Sequence, residues 1–188
     1  LQFATVETGT TCGQSNGTVT INANGGTGTY SYSTNGGANQ QPGNIFSNIL
    51  AGNYNVVVTD ANGCTVSSSV VIPDAPGPVI HNVATTDATC NGSDDGQIVI
   101  NTNGGTGTIT YSIDNGTTFS PVATFSNLPP GNYSVVVTDD NGCTSSTLAS
   151  IAEPSPVVYN VNTTPSSCGN SDGTLTILAN GGTGAFQF

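Results

Sequence analysis

The stretch Gly52-Asn-Tyr-Asn-Val-Val-Val-Thr-Asp-Ala-Asn-Gly-Cys64 returns almost unchanged from Gly131 to Cys143. No other feature constrains the fold as strongly, because a recurring unit must close its own core or stack on its neighbours. Within the stretch, Tyr54, Val56 and Val58 alternate with Asn53, Asn55 and Val57. A period of two is the pattern of a half-buried β-strand. Asp60-Ala-Asn-Gly63 then puts Asn and Gly where a tight turn needs positive φ. Each copy therefore reads as a strand, a turn and a cysteine.

Two more landmarks keep the same step. Asn24-Gly-Gly-Thr-Gly28 recurs at Asn103 to Gly107 and at Asn180 to Gly184, and Cys12, Cys90 and Cys168 are each 78 residues apart. The chain divides into a first repeat, 1–78, a second, 79–156, and the start of a third, 157–188. Pro73-Asp-Ala-Pro-Gly-Pro78 and Glu153-Pro-Ser-Pro156 form the joints. Proline stiffens a linker and blocks strand pairing, so short semi-rigid hinges are expected there. The third copy stops at Phe188, before its Tyr-Val-Val-Val strand, and the chain opens at Leu1. The expectation is a piece of a longer array. No apolar run reaches the length of a transmembrane helix.

Composition removes several functions. The chain has 11 acidic residues, one histidine and no lysine or arginine, where roughly 20 basic residues would be ordinary. Nucleic-acid binding requires cations that displace counterions from phosphates, so no nucleic-acid partner is expected. Attraction to an anionic membrane surface fails for the same reason, and no direct membrane insertion is expected.

The expected core follows from the alternation. Val19 and Ile21 match Ile98 and Ile100, and Leu175 and Ile177 in the third copy; Tyr54, Val56 and Val58 match Tyr133, Val135 and Val137. No window has helical periodicity. Short strands with turn signals every 8–12 residues predict an all-β chain of tandem immunoglobulin-like β-sandwich repeats of about 78 residues, with no helix. Tyr54 and Tyr133 each sit two residues after a glycine at a strand start, as in the tyrosine corner of such sandwiches.

Five cysteines occupy two fixed places per repeat. Cys12, Cys90 and Cys168 precede the first core strand, and Cys64 and Cys143 follow the Asp-x-Asn-Gly turn. No Cys-x-x-Cys occurs, and one histidine cannot complete a zinc site. Disulfides are the expected reading, and they imply an oxidising, extracellular location. Two pairings fit. Within repeats, Cys12 pairs with Cys64 and Cys90 with Cys143, and the partner of Cys168 lies outside the chain. Across joints, Cys64 pairs with Cys90 and Cys143 with Cys168. The first is preferred, because end-to-end domains would carry Cys64 and Cys90 beyond the roughly 7 Å Cα separation a disulfide allows.

Other candidates are weaker. His81 stands where the other copies have Phe3 and Tyr159, so it reads as a packing position. No nucleophile-elbow motif accompanies it, and no enzyme activity is expected. Asp94 and Asp95, with Asp139 and Asp140, supply the hard oxygens calcium takes. The first copy has Asn16 and only Asp60 at the matching places, and no Asp-x-Asp-x-Asp-Gly loop exists. Turn-forming roles are expected for these carboxylates, and no cofactor. Tyr30, Tyr32, Tyr54 and Tyr111 are read as core aromatics rather than as a sugar-stacking face. Homologous loops 34–45 and 113–123 differ in sequence and are where specificity would lie.

The whole motif string resembles the SprB repeat: Cys-x-x-Ser-Asn/Asp-Gly, then Gly-Gly-Thr-Gly-x-aromatic-x-aromatic, then Gly-Asn-Tyr-x-Val-Val-Val-Thr-Asp-x-Asn-Gly-Cys. The second copy departs by one extra residue in Cys90-Asn-Gly-Ser-Asp-Asp-Gly96 and by Ile109 in place of an aromatic. The resemblance implies a module of the long cell-surface adhesins of gliding Bacteroidota, exported by the type IX secretion system. It implies adhesion or gliding as the function, and no catalytic residue. Implied partners are neighbouring repeats of the same chain, and surface glycans or other surface proteins. The other reading is a set of spacer repeats in a secreted carbohydrate-active or glycan-binding protein whose functional domain lies elsewhere.

Overall fold

A computed structural model describes every residue, Leu1–Phe188. Its regular elements are all strands. The first repeat runs through β1 (Gln2–Thr8), β2 (Thr10–Thr11), β3 (Gly17–Asn24), β4 (Ser31–Ser33), β5 (Ile45–Ile49), β6 (Gly52–Thr59) and β7 (Thr65–Ile72). The short β8 (Asp74–Ala75) lies in the first joint. The second repeat follows as β9 (Pro78–Thr86), β10 (Gly96–Gly104), β11 (Thr110–Ser112), β12 (Thr124–Leu128), β13 (Gly131–Thr138) and β14 (Thr144–Ile151). β15 (Val158–Thr164) and β16 (Thr174–Asn180) make a final hairpin.

In the first repeat, β1-β3-β5 form one antiparallel sheet and β4-β6-β7 another. The second repeat repeats that order as β9-β10-β12 and β11-β13-β14. Alternation explains how the two sheets of the first repeat meet. Val19 and Ile21 of β3 point inward between Thr18, Thr20 and Asn22. They share one buried cluster with Tyr32 of β4, Val56 and Val58 of β6, and Val70 and Ile72 of β7. One core between two sheets is the β-sandwich arrangement. Each fully buried Val or Ile contributes roughly 1.5–3 kcal/mol of transfer free energy. In the second repeat Ile98, Ile100, Val135, Val137, Ala149 and Ile151 are buried at the matching positions.

Tyr54 and Tyr133 are placed differently from the valines. Both are partly buried rather than in the core. The Tyr54 hydroxyl donates to the Leu50 carbonyl at 2.9 Å, and Tyr133 to that of Pro129 at 2.6 Å. A phenol needs a polar partner when its ring is buried, so each ring lies at the core margin with its hydroxyl on the backbone four residues upstream.

The first joint corrects the expectation that proline would prevent pairing. β8 pairs in parallel with β2, Thr10 opposite Asp74 and Thr11 opposite Ala75. The donors are the N–H groups of Thr10 and Cys12, which reach the carbonyls of Pro73 and Ala75 at 2.8 and 3.0 Å. Proline lacks only the donor, and here it is asked only to accept.

The chain forms two compact units that do not coincide with the sequence repeats. One comprises Leu1–Val79, Thr102–Thr110 and Val137–Ser145; the other comprises Ile80–Asn101, Tyr111–Val136 and Ser146–Phe188. The first unit takes in the two turns of the second repeat because these turns pack on the joint residues. The Asp140 N–H donates to the Thr106 carbonyl at 3.1 Å, which ties the two turns to each other.

Candidate functional site at the joint

Cys12 and Cys143 form a disulfide, with Cα atoms 5.3 Å apart and 131 residues between them in sequence. Cys64, Cys90 and Cys168 are exposed and unpaired. Neither expected pairing occurs: Cys12 is not joined to Cys64, Cys90 is not joined to Cys143, and no bond links Cys64 to Cys90. Sequence spacing points only to partners within a repeat or immediately across a joint. The bond instead joins the first cysteine of one repeat to the second cysteine of the next.

Local chemistry presents each sulfur. Cys12 has φ of 58° and Gly13 φ of 66°, so the chain turns left-handed at the cysteine itself. Such a φ is uncommon for a residue with a side chain and must be held by its surroundings. Asp74, from the joint, holds it. Its Oδ1 accepts the Thr10 hydroxyl at 2.6 Å and the Gly13 N–H at 3.2 Å.

On the other side, Asp139 shapes the turn that carries Cys143. Its Oδ1 accepts the N–H groups of Asn141 and Cys143 at 3.0 and 2.9 Å, and its Oδ2 accepts that of Thr106 at 2.9 Å. Burial raises the Asp139 carboxyl, but the donors from Thr106, Cys143 and Asn141 outweigh it and hold it below the usual range. Cys143 is only 2% exposed. Gly77 lets it approach: a Cβ at Gly77 would lie 2.6 Å from Cys143 Cβ. A side chain there would force the two segments to shift.

Related hydrogen bonds stand at Cys64 and Cys90. Asp60 Oδ1 accepts the N–H groups of Asn62 and Cys64, and Oδ2 that of Thr27. The Cys64 N–H, with those of Thr27 and Asn62, holds the Asp60 carboxyl low against the opposing effect of burial. Around Cys90, Glu153 replaces Asp74. Its carboxylate accepts the Gly92 N–H at 2.6 Å, and the Asn91 amide donates to the Pro154 carbonyl at 3.3 Å. Ala88 N–H donates to the Ala152 carbonyl at 3.0 Å, matching the Thr10 bond to Pro73.

The remaining candidates are accounted for individually. Asp95 accepts the Thr89 hydroxyl and N–H, which keep its carboxyl low. Asp140 Oδ2 accepts the Thr108 N–H at 3.0 Å. Asp94 is exposed, and its charge adds to burial in raising the Tyr133 phenol. No three His, Cys, Asp or Glu side chains gather into a metal-binding group. His81 is exposed on β9. Tyr32 is buried, and Tyr30 stacks edge-on to it at 6.3 Å with its hydroxyl on the Gly25 carbonyl. The variable loops share an anchor. Buried Ser33 and Ser112 donate to Asn35 and Asp114 and accept the N–H groups of Gly37 and Gly116.

Residues 82–118 match the family model of the SprB repeat. The match runs from β9 to the loop after β11, and includes Cys90 and the Gly-Gly-Thr-Gly turn. It bears out the resemblance read from the motifs over that stretch. The SprB repeat is a structural repeat of large surface adhesins and not an enzyme family. No curated protein matches the chain as a relative.

Motif reading missed Gly77, Asp74 and Glu153, which set the joint. Gly77 between two prolines, and an acid at the same place in both joints, were the available signals. Neither carries a meaning until the partner surface is known.

Proposed function

We propose that this chain is a load-bearing module of a long extracellular surface filament used in attachment or gliding, exported by type IX secretion. The observation that carries the reading is the Cys12–Cys143 bond, which couples successive repeats covalently rather than stapling each one internally. A protein that only displays independent domains has no use for that coupling; a shaft under tension does. The SprB match over 82–118 supports the surface location, as does a disulfide, which persists in oxidising surroundings. Weak binding to surface glycans or other surface proteins through the differing loops 34–45 and 113–123 would gain from repetition along the shaft.

Antibody labelling of living producer cells against residues 79–156 tests the reading. Label along surface threads, moving with or past the cell, is the expected result. Label found only on soluble protein in the medium would overturn it, and would make these repeats spacers of a secreted glycan-active or glycan-binding protein.

A further inference from the structure

The second joint resembles the first, but it is one residue shorter and has no glycine. In the first, the groove around the disulfide is lined by Cys12, Asp74, Pro76, Gly77, Val79 and Cys143. In the second, the groove is lined by Cys90, Asn91, Pro154, Ser155, Val157 and Gly182. Cys90 lines it as Cys12 lines the first, and the joint acid again accepts a backbone N–H just after the cysteine, that of Gly92 for Glu153 and that of Gly13 for Asp74. The Gly-Gly-Thr-Gly turn of the third copy is already seated, with the Gly182 N–H on the Ser155 carbonyl at 2.8 Å. The second joint also lacks an Asp-x-Asn-Gly-Cys turn seated on it.

We infer that the first cysteine of every repeat bonds the second cysteine of the repeat after it, so that Cys90 takes the turn cysteine of a completed third repeat, and Cys64 the first cysteine of a repeat stacked before the first. Three observations carry this. The Cys12–Cys143 bond is the rule realised once. The turn that presents Cys64 has the same Asp60 hydrogen bonds as the turn that presents Cys143. The groove at Cys90 keeps a joint acid and a seated Gly-Gly-Thr-Gly turn, with the shorter Pro154-Ser155-Pro156 in place of Ala75-Pro76-Gly77-Pro78. Each bond forms when the two thiols give up two protons and two electrons to an oxidised dithiol oxidoreductase. Its own disulfide is reduced to the dithiol as the new sulfur–sulfur bond closes.

The consequence is mechanical. Loops closed this way overlap, since the one from Cys12 ends at Cys143, past Cys90. Two staggered covalent paths then run along the array. On one, only the 25 residues from Cys143 to Cys168 can be pulled straight in every two repeats. Such a span extends to about 80–90 Å, against about 500–560 Å for the same two repeats without bonds.

The test completes the third repeat by joining residues 112–156 after Phe188, in line with the match of Phe188 to Tyr111. The oxidised chain is cleaved by an aspartate-directed protease without reduction, because no lysine or arginine offers a tryptic site, and the linked peptides are identified by mass. The expected map joins Cys90 to the added turn cysteine and keeps Cys12 with Cys143. A Cys90 that stays open to alkylation, or joins Cys143 or Cys168, would overturn the inference. In the Cys90→Ser variant the added cysteine should alkylate fully, and its continued protection would also count against the rule. If the extended chain does not fold, the same map of the protein as its cells export it decides the question. The inference rests on the joint and not on adhesion. Bond mapping reads connectivity and cell labelling reads location, so either reading can fail alone.

Discussion

The β1–β3 hairpin of the first repeat and the β15–β16 hairpin of the third have the same register. Phe3 faces Ala23 and Glu7 faces Val19 in one; Tyr159 faces Ala179 and Thr163 faces Leu175 in the other. Their inner residues nevertheless have different surroundings. Ile21 is fully buried, whereas Ile177 is 38% and Leu175 64% exposed. The first hairpin lies against β6 and β7, and the third has no second sheet to lie against. Register is therefore a property of the two strands and their alternation, while burial belongs to the opposing sheet. A hairpin alone is marginal in water, and its stability comes from what covers its apolar face.

Truncating the matched side chains gives the largest expected effect. Ile21→Ala should cost about 2–5 kcal/mol, because it removes contacts on all sides and leaves a cavity. Ile177→Ala should stay within about 0.5 kcal/mol. Urea unfolding of the two variants, followed by hydrogen exchange on β3 and β16, checks the contrast. Equal costs would mean that the third hairpin finds a cover of its own.

Reduction is next in size. The Cys12–Cys143 bond closes a loop of 131 residues and should contribute about 2–5 kcal/mol by restricting the unfolded chain. Cys12→Ser should lower the melting temperature of the first repeat and leave exchange in β15–β16 unchanged. Cys64→Ser should change neither, since Cys64 is unpaired.

A smaller effect separates the two regions at tyrosine. Tyr54→Phe removes the hydrogen bond to Leu50 and should cost about 0.5–1.5 kcal/mol. Tyr159→Phe, at a residue 74% exposed, should cost nothing measurable in the same denaturation experiment.

Acid gives the finest comparison. Asp60 and Asp172 are both held below the ordinary carboxylate range, Asp60 by the N–H groups of Cys64, Thr27 and Asn62, Asp172 by the hydroxyl and N–H of Ser167. A lowered folded pKa means that the unfolded chain takes up protons first. The stabilisation is thus complete above about pH 4 and is lost as pH falls through the folded values. Thermal midpoints should hold from neutrality to about pH 4.5 and then decline. Asp60→Asn should flatten the decline for the first repeat, and Asp172→Asn should affect only the exchange of residues 164–174.

Much of the fold was legible in the chain. The strand from Gly52 begins where alternation and turn residues place it, and the Tyr54 and Tyr133 corners follow from a glycine two residues earlier. These are local matters. The joint was read incorrectly in two respects. Proline at 73 and 78 suggested a semi-rigid hinge without strand pairing, yet β8 pairs with β2 because the register asks Pro73 only for its carbonyl. Spacing suggested a bond within each repeat, yet Cys12 meets Cys143.

The sequence by itself determined the repeat, the period-two strands, the turn chemistry that presents each cysteine, and the absence of any cation to bind nucleic acid. The tertiary structure alone decided which sulfurs meet. Strand formation and turn geometry depend on residues within a few positions of one another, and a linear pattern records them. A disulfide depends on two Cβ atoms arriving within bonding distance, which here required Gly77 to clear the approach and Asp74 and Asp139 to aim each side. That arrival is a property of how one repeat stacks on the next.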